Sequence, residues 1–162
     1  MLSFAKSSVL PFAAHLSVNT PAARDHLTII VEPSSGILRA VWARPLLTAG
    51  LIDSYLELLE QAVRAGCRFW HLDLRLRIWP AATFMQWLIE SFAPLATQRL
   101  GGPVYVACWV GGRHQPYVDD PLTVNMQEQV AKAGFYPTFF DKERDARAWL
   151  LHQQNTNTKK QS

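Results

Sequence analysis

Cysteine is scarce in this 162-residue chain, which contains only Cys67 and Cys108. Neither cysteine belongs to a CxxC pair or has a histidine-rich neighbourhood, so the sequence predicts no disulfide framework and no zinc site. Both cysteines have apolar neighbours, among which a free thiol packs as a small hydrophobic group. We therefore expect a reducing, cytoplasmic location and no metal or other cofactor.

Long hydrophobic runs and phosphate-binding motifs are missing as well. No apolar stretch reaches the roughly 20 residues of a membrane helix, so we expect no membrane span. GxGxxG does not occur, and Gly111-Gly112-Arg113-His114 lacks the Lys-Ser or Lys-Thr that closes a phosphate-binding loop. Residues 111–120 are therefore predicted as a loop, although successive backbone amides after a strand could also form a nest for an anion.

Charged residues make up 18% of the chain, below the usual quarter, and the net charge is only +3. Two of the surplus positive charges are Lys159 and Lys160, which lie in a run of Gln, Asn and Thr. This composition predicts a disordered polar tail at residues 153–162, and residues 1–25 are predicted as a flexible leader. The basic surplus is weak evidence for a polyanion, so we expect no nucleic-acid partner.

Strand and helix patterns alternate between these two ends, from residue 26 to residue 152. Two β-branched runs around Pro33-Ser34-Ser35-Gly36 predict a hairpin. An apolar stripe at the 3.6-residue period predicts a helix over residues 48–65, closed by Gly66. Further strands are predicted at 68–77, 104–110 and 135–140, and further helices after Pro80, at 121–133 and after Asp141.

The resulting order, ββαβαβαβα, predicts a single α/β domain. Strands that alternate with helices favour a mixed, mostly parallel sheet with helices packed against it. The N-terminal β-hairpin adds an antiparallel edge to that sheet.

Three segments carry a resemblance to a known family. They are the hairpin strand Ile37-Leu38-Arg39-Ala40-Val41-Trp42, which leads to a helix at Thr48, the strand Phe69-Trp70-His71-Leu72-Asp73-Leu74, and Phe139-Phe140-Asp141 before an Ala/Trp-Leu helix face. In this order they resemble the STAS domain family, closest to its sporulation anti-sigma-factor-antagonist-like branch, which is grouped with CRAL-TRIO lipid-binding domains. The resemblance covers residues 26–152 and implies a small regulatory or ligand-binding module without a known catalytic activity.

The same resemblance bears on a phosphorylation switch. In family members that are switched by phosphorylation, an Asp-Leu strand is followed by Asp-Ser-Ser-Gly-like residues at the next helix start. Here that stretch is Ile78-Trp79-Pro80-Ala81-Ala82-Thr83-Phe84, in which only Thr83 could accept phosphate. The sequence therefore departs from the family's switch.

The predicted strand at 68–77 alternates strictly between apolar and polar residues. Its polar face carries His71, Asp73, Arg75 and Arg77. Open α/β sheets bind ligands at the carboxyl ends of their strands, where a carboxylate among arginines can orient an anion-binding guanidinium. The ligand-binding residues that we predict on this basis are Trp42, Arg44, Asp73, Arg75 and Trp79. A simpler alternative is an Asp–Arg pair that only ties the strand to a neighbouring helix.

Three functions are compatible with these residues. The first is a non-catalytic module that acts through a protein partner or a small amphipathic or anionic ligand. The second is a small enzyme that uses Asp73 and His71 as an acid–base couple at the strand tip. The third is an oligomeric structural protein, for example a homodimer, in which the hairpin pairs edge to edge.

Overall fold

A single five-stranded sheet organises the computed structural model, which describes residues 26–161. Its strands are β1 (Leu27–Val31), β2 (Leu38–Trp42), β3 (Phe69–Asp73), β4 (Val104–Trp109) and β5 (Phe135–Phe140). They lie in the spatial order β1-β2-β3-β4-β5; β1 pairs with β2 antiparallel, and the other three pairs are parallel. The predicted α/β class, with a mostly parallel sheet and a hairpin at its edge, is confirmed. The predicted leader, residues 1–25, lies outside the described residues.

Helices follow the strands along the chain. They are α1 (Thr48–Ala65), α2 (Ala82–Trp87), α3 (Ala93–Leu100), α4 (Gly111–Val118), α5 (Pro121–Ala131) and α6 (Glu143–Gln161). A π-helical turn, Leu88–Phe92, joins α2 to α3, and the N–H of Ala93 donates to the carbonyl of Leu88. Because Pro94 has no N–H, the wider turn lets the helix continue past a residue that would otherwise break it. At the end of α1, Gly66 has the predicted left-handed conformation, with φ of 63°.

The two faces of the sheet have separate cores. On the first face, the buried side chains of Leu38, Trp70 and Val106 pack within the large apolar core that α1, α2, α3 and α5 share. On the second face, Ala146 and Leu150 of α6 form a smaller core with strand residues. Alternation along each strand therefore decides which core a side chain enters.

β3 is shorter than the strand predicted at 68–77. It ends at Asp73, whose Oδ1 accepts the N–H of Arg75 at 3.1 Å. The N–H of Arg77 then donates to the carbonyl of Leu74 at 3.1 Å, so the chain turns. As a result Arg77 enters the first face, whereas strict alternation predicted it beside His71 on the polar face. When a strand pattern is extended through a turn, it predicts the wrong face of the sheet for the residues after the turn.

The loop predicted at 111–120 is wrong, because residues 111–118 form α4. Gly111 has φ of 69°, and a Cβ at this position would lie 3.3 Å from Cγ of Arg75. Glycine thus allows both the sharp exit from β4 and the close approach of the Arg75 side chain. The glycine-rich segment therefore forms the start of a helix and not an anion-binding loop or lid.

The disordered tail predicted from residue 153 is likewise wrong over 153–161, which continue α6. Tertiary contacts explain the helix. Arg147 forms two hydrogen bonds, of 2.9 and 3.1 Å, with the carboxylate of Glu32, and Gln154 donates to the carbonyl of Ser35 at 2.7 Å. These contacts dock α6 on the β1–β2 hairpin, and a helix that is docked by its earlier turns can extend into a polar segment.

Within the described part of the chain, no helix is both long enough and apolar enough to cross a membrane.

Candidate ligand-binding site

An apolar cavity of about 40 Å³ lies on the first face of the sheet, between β3, β4, β5 and the helices above them. Its walls include the side chains of Leu72, Val106, Met126 and Phe139. A water-sized group needs roughly 10–15 Å³, so the cavity has room for roughly three such groups. This volume suits a small apolar moiety.

Among residues 26–161, Arg77 is the one charged residue in the wall of this cavity. Its side chain is buried (3% exposed), and its Nη1 donates to the hydroxyl of Tyr55 at 2.9 Å. The guanidinium carbon lies 4.7 Å from the ring centroid of Trp42 and 5.3 Å from that of Tyr55. Its Nε has no hydrogen-bond partner, and no carboxylate of residues 26–161 pairs with the side chain.

This arrangement is energetically unusual. Arginine stays charged in proteins, and removing an ion from water costs several kcal/mol after relaxation. Contact with two aromatic rings offsets about 2 kcal/mol of that cost, and the bond to Tyr55 offsets roughly 1 to 3 kcal/mol more. Neither contact supplies a negative charge, so the polar end of the cavity is complementary to an anion.

Trp42 forms a fixed platform under the Arg77 guanidinium. The indole N–H of Trp42 donates to Oγ of Ser54 at 3.0 Å, and that hydroxyl donates to the carbonyl of Leu51 at 2.8 Å. The Trp42 and Tyr55 rings stack with centroids 5.5 Å apart. Because each polar atom in this chain of contacts is satisfied, the rings hold the cation in a defined position.

His114 in α4 is a second buried polar group near Arg77. The residue is 5% exposed, and among residues 26–161 neither ring nitrogen has a partner in good hydrogen-bond geometry. Its ring centroid lies 5.6 Å from that of Trp79, a cavity-lining residue. Burial lowers the pKa of His114, and the charges of Arg113 and Arg77 lower it further, while the Arg77 backbone opposes the shift. The imidazole is therefore neutral at pH 7.

Cys108 also lines the cavity. Burial raises the pKa of its thiol to about 12, although the charge of Arg77 opposes the shift. Because the thiolate is the reactive form of cysteine, Cys108 is a packing residue at neutral pH and not a nucleophile.

Asp73 and Arg75 lie on the other side of the sheet. Arg75 holds the buried Asp73 carboxylate with two hydrogen bonds, from Nε to Oδ1 at 3.0 Å and from Nη2 to Oδ2 at 2.9 Å. The Arg75 guanidinium also covers the ring of Trp109, with its carbon 3.6 Å from the centroid. Both charged groups are thus occupied by each other, and the pair ties the end of β3 to β4.

His71 lies on the same second face, fully buried beneath α6. Its Nε2 is 3.7 Å from Oε2 of Glu143, which accepts a hydrogen bond from Arg39 at 3.3 Å. Within the described part of the chain, neither ring nitrogen has a partner in good hydrogen-bond geometry. Burial lowers the pKa of His71, the charges of Arg39 and Arg147 act in the same direction, and Glu143 opposes them.

The five residues predicted to form one ligand site are therefore divided. Trp79 lines the cavity and Trp42 lies behind Arg77, both on the first face, while Asp73 and Arg75 are on the second face and Arg44 is exposed beyond β2. Val41 is the register partner of Asp73, so the neighbouring Trp42 points to the opposite face. The sequence pattern predicted Arg77 on the polar face of the strand beside His71, which is the wrong face. It did not identify Tyr55 as a residue of the site. Thr83 is exposed in the first turn of α2.

We expect His71 to make the fold less stable in mild acid. Because its pKa is lowered on folding, the unfolded chain binds the proton first, so stability falls as pH drops below about 6.5 and through the folded-state pKa. His71→Phe keeps a ring of similar size without the titrating group. Urea unfolding at pH 7.5 and pH 5 should show a smaller loss in His71→Phe than in the parent; equal losses in both proteins would contradict the prediction.

Comparison of this chain with protein-family models, with curated proteins and with solved structures finds no match. Among residues 26–161, no cluster of three or more His, Cys, Asp or Glu side chains could hold a metal ion.

Proposed function

We propose that this chain is a non-catalytic binding module for a small amphipathic monocarboxylate, with the apolar part of the ligand in the cavity and its carboxylate on Arg77. The observation that carries the proposal is a buried guanidinium in the wall of an apolar cavity that pairs with no carboxylate of residues 26–161. The proposal keeps the regulatory or binding role, the cytoplasmic location and the STAS-like character that the resemblance implies. It moves the anion from the predicted Asp73–Arg75 site to Arg77.

Arg75 shows how an arginine of this chain binds a carboxylate, and Arg77 lacks such a partner among residues 26–161. Arg75 uses its Nε and Nη2 edge to hold both oxygens of Asp73. In Arg77 the Nη1 atom is bonded to Tyr55, whereas Nε has no partner. A carboxylate matches this Nε–Nη2 edge because its two oxygens accept two parallel N–H bonds. Such a ligand would supply both the missing charge and the missing acceptor.

The size of the cavity limits the apolar part of the ligand. Room for roughly three water-sized groups suits an apolar tail of about three to five carbons, with the carboxyl group outside the apolar walls. A long fatty-acid chain would require the tightly packed walls to move, which costs free energy. We therefore expect short-chain carboxylates to bind better than long-chain ones.

The other two functions have less support. His71 and Asp73 are 0% and 5% exposed, so the couple required by the small-enzyme alternative has no open approach for a substrate. For the oligomeric alternative, β1 is an edge strand, and Ile30 on it is 40% exposed. A homodimer through β1 is compatible with ligand binding on the first face, and so is an additional protein partner.

Thermal unfolding with a set of six-carbon probes tests the proposed ligand. We expect hexanoate to raise the melting temperature, with a stabilisation of about 2.7 kcal/mol at a hundred times its Kd. Hexanol, which lacks the charge, should stabilise much less, and hexylammonium should not stabilise at all. Equal effects of hexanoate and hexanol, or no effect of any probe up to its solubility limit, would overturn the proposal.

A further inference from the structure

Within the described residues 26–161, two buried polar side chains near the cavity have atoms without a partner in good hydrogen-bond geometry. One is Arg77, through its Nε, and the other is His114, through both ring nitrogens. Both lie close to the same cavity, because the His114 ring packs against Trp79 with centroids 5.6 Å apart, and Trp79 lines the cavity together with Arg77. Buried polar atoms without partners are rare in folded proteins, and a pair of them beside a cavity calls for a common explanation.

We propose that binding of the carboxylate at Arg77 is coupled to the uptake of one proton by His114, so that the module holds its ligand more tightly in mild acid. This inference rests on the proposed function, since the carboxylate that it requires is the ligand of that site. The proton comes from solvent and adds to the neutral imidazole; no other bond forms or breaks.

Electrostatics gives the direction of the coupling. The charged groups that act on His114 are Arg113 on its own helix and Arg77 from the turn after β3, and both disfavour a second positive charge. Its other neighbours are the aromatic rings of Trp79 and Tyr117. A carboxylate on Arg77 cancels one of the two opposing cations, so the protonated imidazole becomes more favourable once the ligand is present.

Thermodynamic linkage makes this effect reciprocal. If the ligand favours protonation of His114, protonation of His114 favours the ligand by the same factor. For one coupled proton, affinity changes by at most about tenfold for each pH unit. We expect the Kd of hexanoate to fall about threefold to tenfold between pH 7.5 and pH 5.5, a range in which the ligand itself remains ionised.

The test measures hexanoate affinity by calorimetry across this pH range, in buffers of different ionisation enthalpy so that protons are counted directly. The parent protein is compared with His114→Phe, which keeps an aromatic ring against Trp79, and with His152→Phe, which alters an exposed histidine on α6. We expect proton uptake in the parent and in His152→Phe, and none in His114→Phe.

An NMR titration of the parent histidines covers the case in which His114→Phe does not fold. The His114 resonances should titrate at higher pH with hexanoate than without it. Hexanoate binding with no proton uptake and an unmoved His114 titration would overturn the inference and leave the proposed function standing. Failure of hexanoate to bind at every pH would overturn both.

Discussion

Arg77→Met is expected to lower hexanoate affinity by at least 30-fold while leaving the folded state within about 1 kcal/mol of the parent protein. Loss of one partner from a buried charge pair costs about 2 to 5 kcal/mol, and 2 kcal/mol corresponds to roughly 30-fold in affinity. Loss of binding without loss of stability is the signature of a residue that is retained for its ligand.

The stability part of this prediction depends on opposing contributions. Methionine removes the cost of burying a guanidinium, and replacement of buried charges by apolar groups is often neutral or stabilising by about 1 to 4 kcal/mol. Against this gain, the variant loses the cation–π contacts with Trp42 and Tyr55 and leaves the Tyr55 hydroxyl without its donor. These losses are of similar size, about 2 kcal/mol for the rings and 1 to 3 kcal/mol for the hydroxyl.

Arg99→Met is the matched control, because Arg99 pairs with Glu60 on the surface. Exposed ion pairs contribute little to stability because water and salt screen them, so this variant should keep both its stability and its hexanoate affinity. Urea unfolding and calorimetric titration of the three proteins provide the comparison. If Arg77→Met loses 3 kcal/mol or more of stability and still binds hexanoate, Arg77 is a structural residue and the proposed site is wrong.

Leu150→Ala is expected to destabilise the protein by about 2 to 5 kcal/mol, whereas Leu151→Ala should change stability by less than about 0.5 kcal/mol. The two leucines are adjacent in α6 and have the same chemistry. Leu150 is fully buried in the small core of the second face, while Leu151 is 43% exposed. The difference between the variants therefore measures how firmly α6 is docked.

The size of the Leu150 effect follows from the small number of residues in its core. Leu150 packs with Ala146 of the same helix and with Ile37 and Ala107 from the sheet. Removing its side chain leaves a cavity whose alanine neighbours are too small to fill it. Urea unfolding curves followed by tryptophan fluorescence compare the two variants at one pH. Similar losses in both would contradict the docked position of α6 on the second face.

Local sequence patterns determined much of this fold. The hairpin around residues 33–36 and the helix over 48–65 were predicted correctly, because alternation and the 3.6-residue period report directly on which side of an element is buried. Gly66 was placed correctly because only a residue that tolerates positive φ can close the helix in this way. These features depend on residues that are close in sequence.

The structure of residues 153–161 could not be predicted from local sequence patterns. Residues 153–161 are polar enough to predict disorder, yet they continue a helix that Arg147 and Gln154 anchor to Glu32 and Ser35. The anchoring residues are separated from their partners by 115 and 119 positions in the chain. Nothing in the tail's own composition carries information on contacts over such a distance.

The candidate site was predicted only in part, for a similar reason. The pattern identified Trp79 as a residue of interest and grouped Asp73 with Arg75, and the structure places these two in a bidentate ion pair. It could not place Arg77, because the chain leaves the strand after Asp73 and the side chain enters the opposite face.

The scarcity of cysteine, of long apolar runs and of phosphate-binding motifs excluded several classes of protein, and hydrophobic periodicity by itself determined that this chain builds an α/β domain with a hairpin edge. Only the tertiary structure decided that Arg77 lies against Trp42 and Tyr55 with no paired carboxylate among residues 26–161, and that His71 is buried beside Glu143 of α6. The physical reason is that hydrophobic periodicity depends only on which face of each helix or strand is buried. The partner of a buried charge is instead set by turns and by contacts between segments far apart in the sequence.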